Sequence, residues 1–113
     1  MLSSINRLKK NQDFKKIYHK GNKTKGQFFD FFYLKSTEKY TRIGIVINSK
    51  IATLATERNK QKRMVRAYTS RHLKNSKEPI DIIIKIKKII KGNEKKQAEK
   101  ELQEQIQQIL NVK

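Results

Sequence analysis

Residues 57–77 read Glu-Arg-Asn-Lys-Gln-Lys-Arg-Met-Val-Arg-Ala-Tyr-Thr-Ser-Arg-His-Leu-Lys-Asn-Ser-Lys. Eight of them are Lys or Arg, Glu57 is the sole acid, and neither Gly nor Pro interrupts the run. Nothing in the stretch blocks a helix. At 3.6 residues per turn, Arg58, Lys62 and Arg66 stack at i, i+4 and i+8, with Asn59, Arg63 and Lys74 beside them. Leu54, Met64, Val65 and Tyr68 fall on the opposite side. The spacing predicts one helix with an apolar face that docks on a core and a wide cationic face.

Like charges at i, i+4 each destabilise a helix by roughly 0.2–0.5 kcal/mol. A single-sign row is either a solvated face in a lysine-rich chain or a docking face for a dense polyanion. Arginine adds planar, bidentate phosphate recognition that lysine lacks. Four of the six arginines (Arg58, Arg63, Arg66 and Arg71) lie in this one stretch, which general lysine enrichment does not explain.

The totals agree with a polyanion partner. The chain has 113 residues, consistent with a single domain over 1–113, and a formal net charge of +18. Self-repulsion at that charge opposes compaction unless a polyanion neutralises it. Nucleic acid is the leading candidate and an anionic membrane surface the second. The absence of Cys excludes disulfides, thiol nucleophiles and thiolate metal sites. Residues 1–10 lack the apolar run of a signal peptide, and no stretch approaches the ~20 apolar residues of a membrane span. The expected location is the cytoplasm, with no membrane partner.

Working outward, residues 11–20 predict a short amphipathic helix with Asn11 as N-cap, Gly21 at its end, and Phe14, Ile17 and Tyr18 in one stripe. Residues 21–26 predict a loop. The aromatic run 27–34 predicts a strand, with Phe29, Phe31 and Tyr33 on one face and Phe28, Asp30, Phe32 and Leu34 on the other. Its aromatics are either plain core or a stacking platform for single-stranded nucleic acid. Residues 35–41 read as a hairpin connection and 42–48 as the next strand. A short extra strand near Ser49 and an N-cap at Thr53 or Thr56 precede the central helix. Pro79 breaks the chain before a β-branched strand over Ile80–Ile86, followed by Lys87, Lys88 and Lys91 as a basic rim. After a Gly92–Asn93 turn, with Asn93 as a possible cap, Glu94–Leu110 predicts a helix whose stripe is Ala98, Leu102, Ile106, Ile109 and Leu110. The order α-β-β-(β)-α-β-α implies an α+β sandwich of a small mixed sheet and three helices.

Chemistry is sparse. His19 and His72 sit on separate helices, Asp13, Asp30 and Asp81 in separate elements, and no glycine-rich phosphate loop is present. No catalytic or metal-ligating constellation is expected in this chain.

The run 57–66 resembles the R-N-R-x-K-R-x-x-R helix of the bacterial ribonuclease P protein component, with Arg58, Asn59, Lys62, Arg63 and Arg66 in register. Residues 7–17, followed by Gly21, resemble that family's opening R-L-K-K-x-x-D-F. Arg42-Ile-Gly-Ile and Asp81-Ile-Ile-Ile resemble two of its strands. Lys60 stands for the motif's second arginine, and Ile51 for a lysine of the family's V-S-K-K-like run. The resemblance implies binding to a catalytic RNA, P RNA, that removes the 5′ leader of precursor tRNA with Mg²⁺ held by the RNA and none bound tightly by the protein. It implies RNA contacts at Arg58, Asn59, Lys60, Lys62, Arg63, Arg66 and Lys50, and a leader cleft near Phe14, Tyr18, Phe29 and Phe31. It also implies a ribosomal-protein-like fold with a left-handed crossover around the central helix, against the general rule, and no obligate protein partner. The alternatives are a non-catalytic ribosomal or general RNA-binding protein, and a membrane-surface protein.

Overall fold

The computed structural model describes residues 7–8, 10–36, 40–72 and 79–111. Its elements are α1 (Asn11–Lys20), β1 (Asn22–Lys25), β2 (Phe29–Lys35), β3 (Arg42–Ile47), α2 (Ala55–His72), β4 (Ile80–Ile86) and α3 (Lys95–Asn111). The strands form one sheet in the order β1-β2-β4-β3.

β4 is central because its sequence leaves it no other place. Every residue of Ile80–Ile86 except Lys85 is buried, and a β-branched run with two apolar faces needs cover on both. It pairs antiparallel with β2 and parallel with β3. β2 and β3 are therefore not a hairpin, as residues 35–41 suggested, because β4 inserts between them. The parallel β3–β4 pair requires a crossover, and α2 supplies it. The loop expected over 21–26 contains the edge strand β1, paired antiparallel with β2. No strand forms near Ser49. Asn48 instead starts a turn, accepting from the backbone N–H of Ile51 at its carbonyl (2.9 Å) and of Lys50 at its side chain (2.8 Å).

The two sheet faces divide the helices. Phe29, Phe31, Ile43, Ile47, Ile82, Ile84 and Ile86 face α2 and α3 in the main core. The α3 stripe, Ala98, Leu102, Ile106, Ile109 and Leu110, is buried there as its periodicity predicts. α2 docks through Val65, Tyr68 and two buried polar residues, Gln61 and Thr69. Gln61 accepts from the Ile90 N–H (3.0 Å), donates to the Ile90 carbonyl (3.4 Å), and so stitches α2 to the segment after β4. Leu54, expected in the docking stripe, is 67% exposed, because it precedes the first helical turn.

α1 lies on the opposite face, where Leu8, Ile17 and Ile83 form a smaller core. Its N-cap position is Lys10 rather than Asn11, with no side-chain cap. Gly21 ends it with ordinary backbone angles, its N–H donating to the Ile17 carbonyl (2.8 Å). A Cβ there would lie 2.6 Å from the Tyr33 carbonyl oxygen, so glycine permits a close backbone crossing rather than a left-handed turn. Arg42 ties this layer together. It grips Asp81 with two hydrogen bonds (2.9 and 2.7 Å) and reaches Asp13 of α1 with a third (3.2 Å). Across the sheet, Glu101 of α3 accepts from the backbone N–H groups of Gln27, Phe28 and Phe29 (2.7, 2.9 and 3.0 Å) and so sets the entry to β2.

Candidate nucleic-acid interface

With Gln61, Val65, Tyr68 and Thr69 turned inward, the 100° step per residue places every other α2 side chain. Lys62 and Arg66 fall on the flank beside the docking stripe and are half-buried, while Asn59 and Arg63 point away from the sheet and are exposed. Lys60 is also exposed, on the side of Arg71. Lys50 is exposed in the turn before the helix. Among the described residues, ion pairs join Arg42 to Asp13 and Asp81, Arg71 to Glu99, Lys87 to Asp30 and Lys88 to Glu94. None reaches Arg58, Lys62, Arg63 or Arg66. Partial burial holds the Arg66 guanidinium below the usual arginine range, and the charges of Arg7 and Arg63 push it the same way. Among the described residues the band thus has no ion-pair partner, a setting that stabilises a bound anion.

Arg58 differs from its motif neighbours. Its guanidinium turns back and donates to the carbonyls of Ala52 (2.8 Å) and Thr53 (3.0 Å). Its main contact is the loop that leads into the helix, so it holds the start of α2.

The α1 side of the sheet supplies the aromatics. Strand pairing lays Lys23, Phe32, Ile83 and Gly44 in one row and Lys25, Asp30, Lys85 and Val46 in the next. Tyr18 is 41% exposed and meets the Phe32 ring edge-on at 4.7 Å between centroids. Lys23 places its ammonium 5.2 Å from the centre of the same ring. Burial raises the Tyr18 hydroxyl above its ordinary pKa, so it stays neutral and able to donate. Phe14 is half-buried, its ring lying on the β3 backbone at Gly44, where a Cβ would come within 2.7 Å of it.

Two expected cleft residues are misplaced. Phe29 and Phe31 have no exposure and pack in the main core, on the sheet face opposite α1. Phe32, absent from the expected set, is the half-buried strand aromatic that lies beside Tyr18. The alternation carried a signal for it: Phe32 shares its face with Asp30, the one charged residue among the aromatics. Lys74 and the stretch 73–78 lie outside the described residues, as does the His72 side chain. His19 is exposed at the end of α1. No three His, Cys, Asp or Glu side chains among the described residues gather as metal ligands. No helix among them is long and apolar enough to cross a membrane.

A basic helix edge beside an aromatic-cationic sheet face is suited to a flexible polyanion, and comparison with known proteins agrees. Residues 2–110 match the family described as Ribonuclease P. The Ribonuclease P protein component of Pseudanabaena sp. is 38% identical over 87 residues, covering 76% of this chain and 75% of that one. That of Fusobacterium nucleatum is 37% identical over 84 residues, covering 74% and 75%. Among solved structures, the RNase P protein of Staphylococcus aureus superposes with a TM-score of 0.68 at 28% identity, over 93% of this chain and 92% of that one. The RNase P protein from Thermotoga maritima gives 0.69 at 25% identity, over 95% and 97%. This chain therefore belongs to the ribonuclease P protein family.

Proposed function

We propose that this chain is the protein subunit of a cytoplasmic ribonucleoprotein that removes the 5′ leader of precursor tRNA. α2 binds the catalytic RNA through Asn59, Lys60, Lys62, Arg63 and Arg66, with Lys50 alongside. The single-stranded leader runs over the α1 side of the sheet, where Tyr18 and Phe32 offer stacking surfaces and Lys23, Lys25 and Lys85 offer charge. Hydrolysis belongs to the RNA and to Mg²⁺ held by it. Three of the acidic residues hold structure: Asp13 and Asp81 bind Arg42, and Glu101 binds three backbone N–H groups.

The observation that carries this reading is the α2 cationic band, which has no carboxylate partner among the described residues and stands beside an aromatic face, in a chain of this family. The protein's contribution is positional. Neutralising phosphates lets two RNAs approach, and gripping the leader adds binding energy away from the scissile bond. Reconstitution tests it. Bacterial P RNA should process precursor tRNA at low Mg²⁺ markedly better with the purified protein than alone. RNA binding without stimulation would make the chain a general RNA-binding protein instead.

A further inference from the structure

The α1 side of the sheet carries an acid on a surface otherwise built for phosphates. Asp30 stands between two lysines in its cross-strand row, Lys25 of β1 and Lys85 of β4. Lys87, just past β4, brings its ammonium within 3.4 Å of the Asp30 Oδ1, but spends its hydrogen bond on the Gly26 carbonyl (3.0 Å). The Asp30 side chain is 13% exposed. Its Oδ1 is buried and accepts no hydrogen bond among the described residues. An ionised carboxylate has about four acceptor sites, and one left unmatched in a folded protein calls for an explanation. Asp13, Asp81 and Glu101 are each hydrogen-bonded within the fold, whereas Asp30 is not. It also lies clear of α1. Asp13 of that helix reaches the row of Arg42 and Asp81, Tyr18 meets the row of Phe32, and the Asp30 row lies one step beyond.

We infer that Asp30 is a specificity residue: it accepts a hydrogen bond from the amino group of one nucleobase beside the Tyr18–Phe32 pair, and so selects an amino-bearing base over uracil there. This rests on the leader path proposed above. The charge pattern sets how a strand lies. A carboxylate repels a phosphodiester, while Lys25 and Lys85 on either side attract one, so the backbone follows the lysines and a base edge turns to the acid. The spacing fits. Asp30 and Phe32 share a face two residues apart, about 6.6–6.8 Å along the strand, so a base leaning on the aromatic pair can extend its edge to the carboxylate. The chemistry then discriminates. A carboxylate only accepts. Cytosine, adenine and guanine each bring an amino donor on the edge that a splayed-out base presents, whereas uracil brings two carbonyls around a single N–H, and those carbonyls repel the acid.

The test compares full-length protein on two labelled oligoribonucleotides of equal length, oligocytidylate and oligouridylate, by fluorescence anisotropy. The two pyrimidines differ only at the edge in question. Wild type should prefer oligocytidylate by at least about fivefold. Asp30→Leu removes every acceptor and should bring the ratio close to one. Its log–log salt slope should steepen by about 0.7, because a lysine released from the acid gains a phosphate. Lys87→Gln removes the ion pair but keeps the carboxylate, so the preference should survive it. If Asp30→Leu fails to fold, oligocytidylate methylated twice at each 4-amino group takes its place on the wild type. Lacking amino donors, it should bind as weakly as oligouridylate. Equal wild-type affinity for the two oligomers, or a preference that Asp30→Leu retains, overturns base selection and leaves the leader face standing. A preference lost in Lys87→Gln as fully as in Asp30→Leu also overturns it, and makes the Asp30–Lys87 pair structural. Binding to neither oligomer removes the leader face itself, and the role of Asp30 with it.

Discussion

Replacing Arg42 tests how α1 is held over the sheet. The Asp81 side chain is 7% exposed and receives two of the Arg42 hydrogen bonds, whereas Asp13 is 26% exposed and receives one. In Arg42→Ala, Asp81 is left as a buried carboxylate without that partner. Breaking a buried pair in this way costs about 3–5 kcal/mol. Against the roughly 5–15 kcal/mol that stabilises a typical domain, much of the margin would go. Asp13→Asn should behave differently. Its site can rehydrate, Arg42 keeps Asp81, and the loss should stay near 1 kcal/mol. Replacing both buried partners, Arg42→Met with Asp81→Leu, should recover most of the stability because no charge is stranded. Urea denaturation gives the three free energies, and hydrogen exchange across α1 shows whether the helix loosens in Asp13→Asn before the domain unfolds. The reasoning fails if Arg42→Ala costs under 1 kcal/mol, or if Asp13→Asn costs as much as Arg42→Ala. The network fixes the position of α1, which carries Phe14 and Tyr18 of the proposed leader face.

Other expectations follow from the same geometry. Glu101→Ala strands the partly buried N–H groups of Phe28 and Phe29 and should cost about 2–5 kcal/mol in urea titration, with exchange rising first at those two amides; Gln27, being exposed, can turn to water. Tyr18→Ala and Phe32→Ala should each weaken single-stranded RNA by about 1–3 kcal/mol in fluorescence titration. Phe31→Ala, by contrast, should lower stability by about 3–5 kcal/mol as a core truncation. The Glu94 carboxyl is held below its ordinary pKa first by the Lys88 hydrogen bond and then by the Lys91 backbone N–H. It therefore supports the fold above its unfolded pKa, near 4.3, and ceases to as pH falls through the lower folded value. Glu94→Gln should shallow the acid limb of a melting-temperature profile and leave no pH-dependent difference attributable to this group above neutrality.

How much of this was legible in the chain depended on range. The docking stripe of α3 follows from 3.6-residue periodicity alone, and each residue of that stripe is buried. α2 was legible as a helix, but its inward face includes Gln61 and Thr69, whose partners are the Ile90 backbone and the Val65 carbonyl. A polar residue in a helix gives no local sign that a distant strand end will satisfy it. Strand order was hidden for the same reason, since which strand lies between two others is fixed by burial of β4 on both faces. The aromatic strand was readable as β2. Which of its faces meets α1 depends on where the chain crosses after Gly21, so alternation by itself does not separate Phe32 from Phe29 and Phe31. Arg58 has the residue type of a phosphate ligand, and only its closeness to the Ala52 and Thr53 carbonyls marks it as a clamp.

The salt dependence of P RNA binding tests the cationic face of α2 most directly. In the double variant Asn59→Ala, Arg63→Gln, with both positions exposed and the docking stripe untouched, folding should be unchanged by circular dichroism. The log–log slope of affinity against salt should fall by about 0.7–0.9 for the one charge removed, with further loss from the Asn59 hydrogen bond at every salt concentration. A wild-type slope and wild-type affinity in that variant would contradict the assignment of this helix face to RNA.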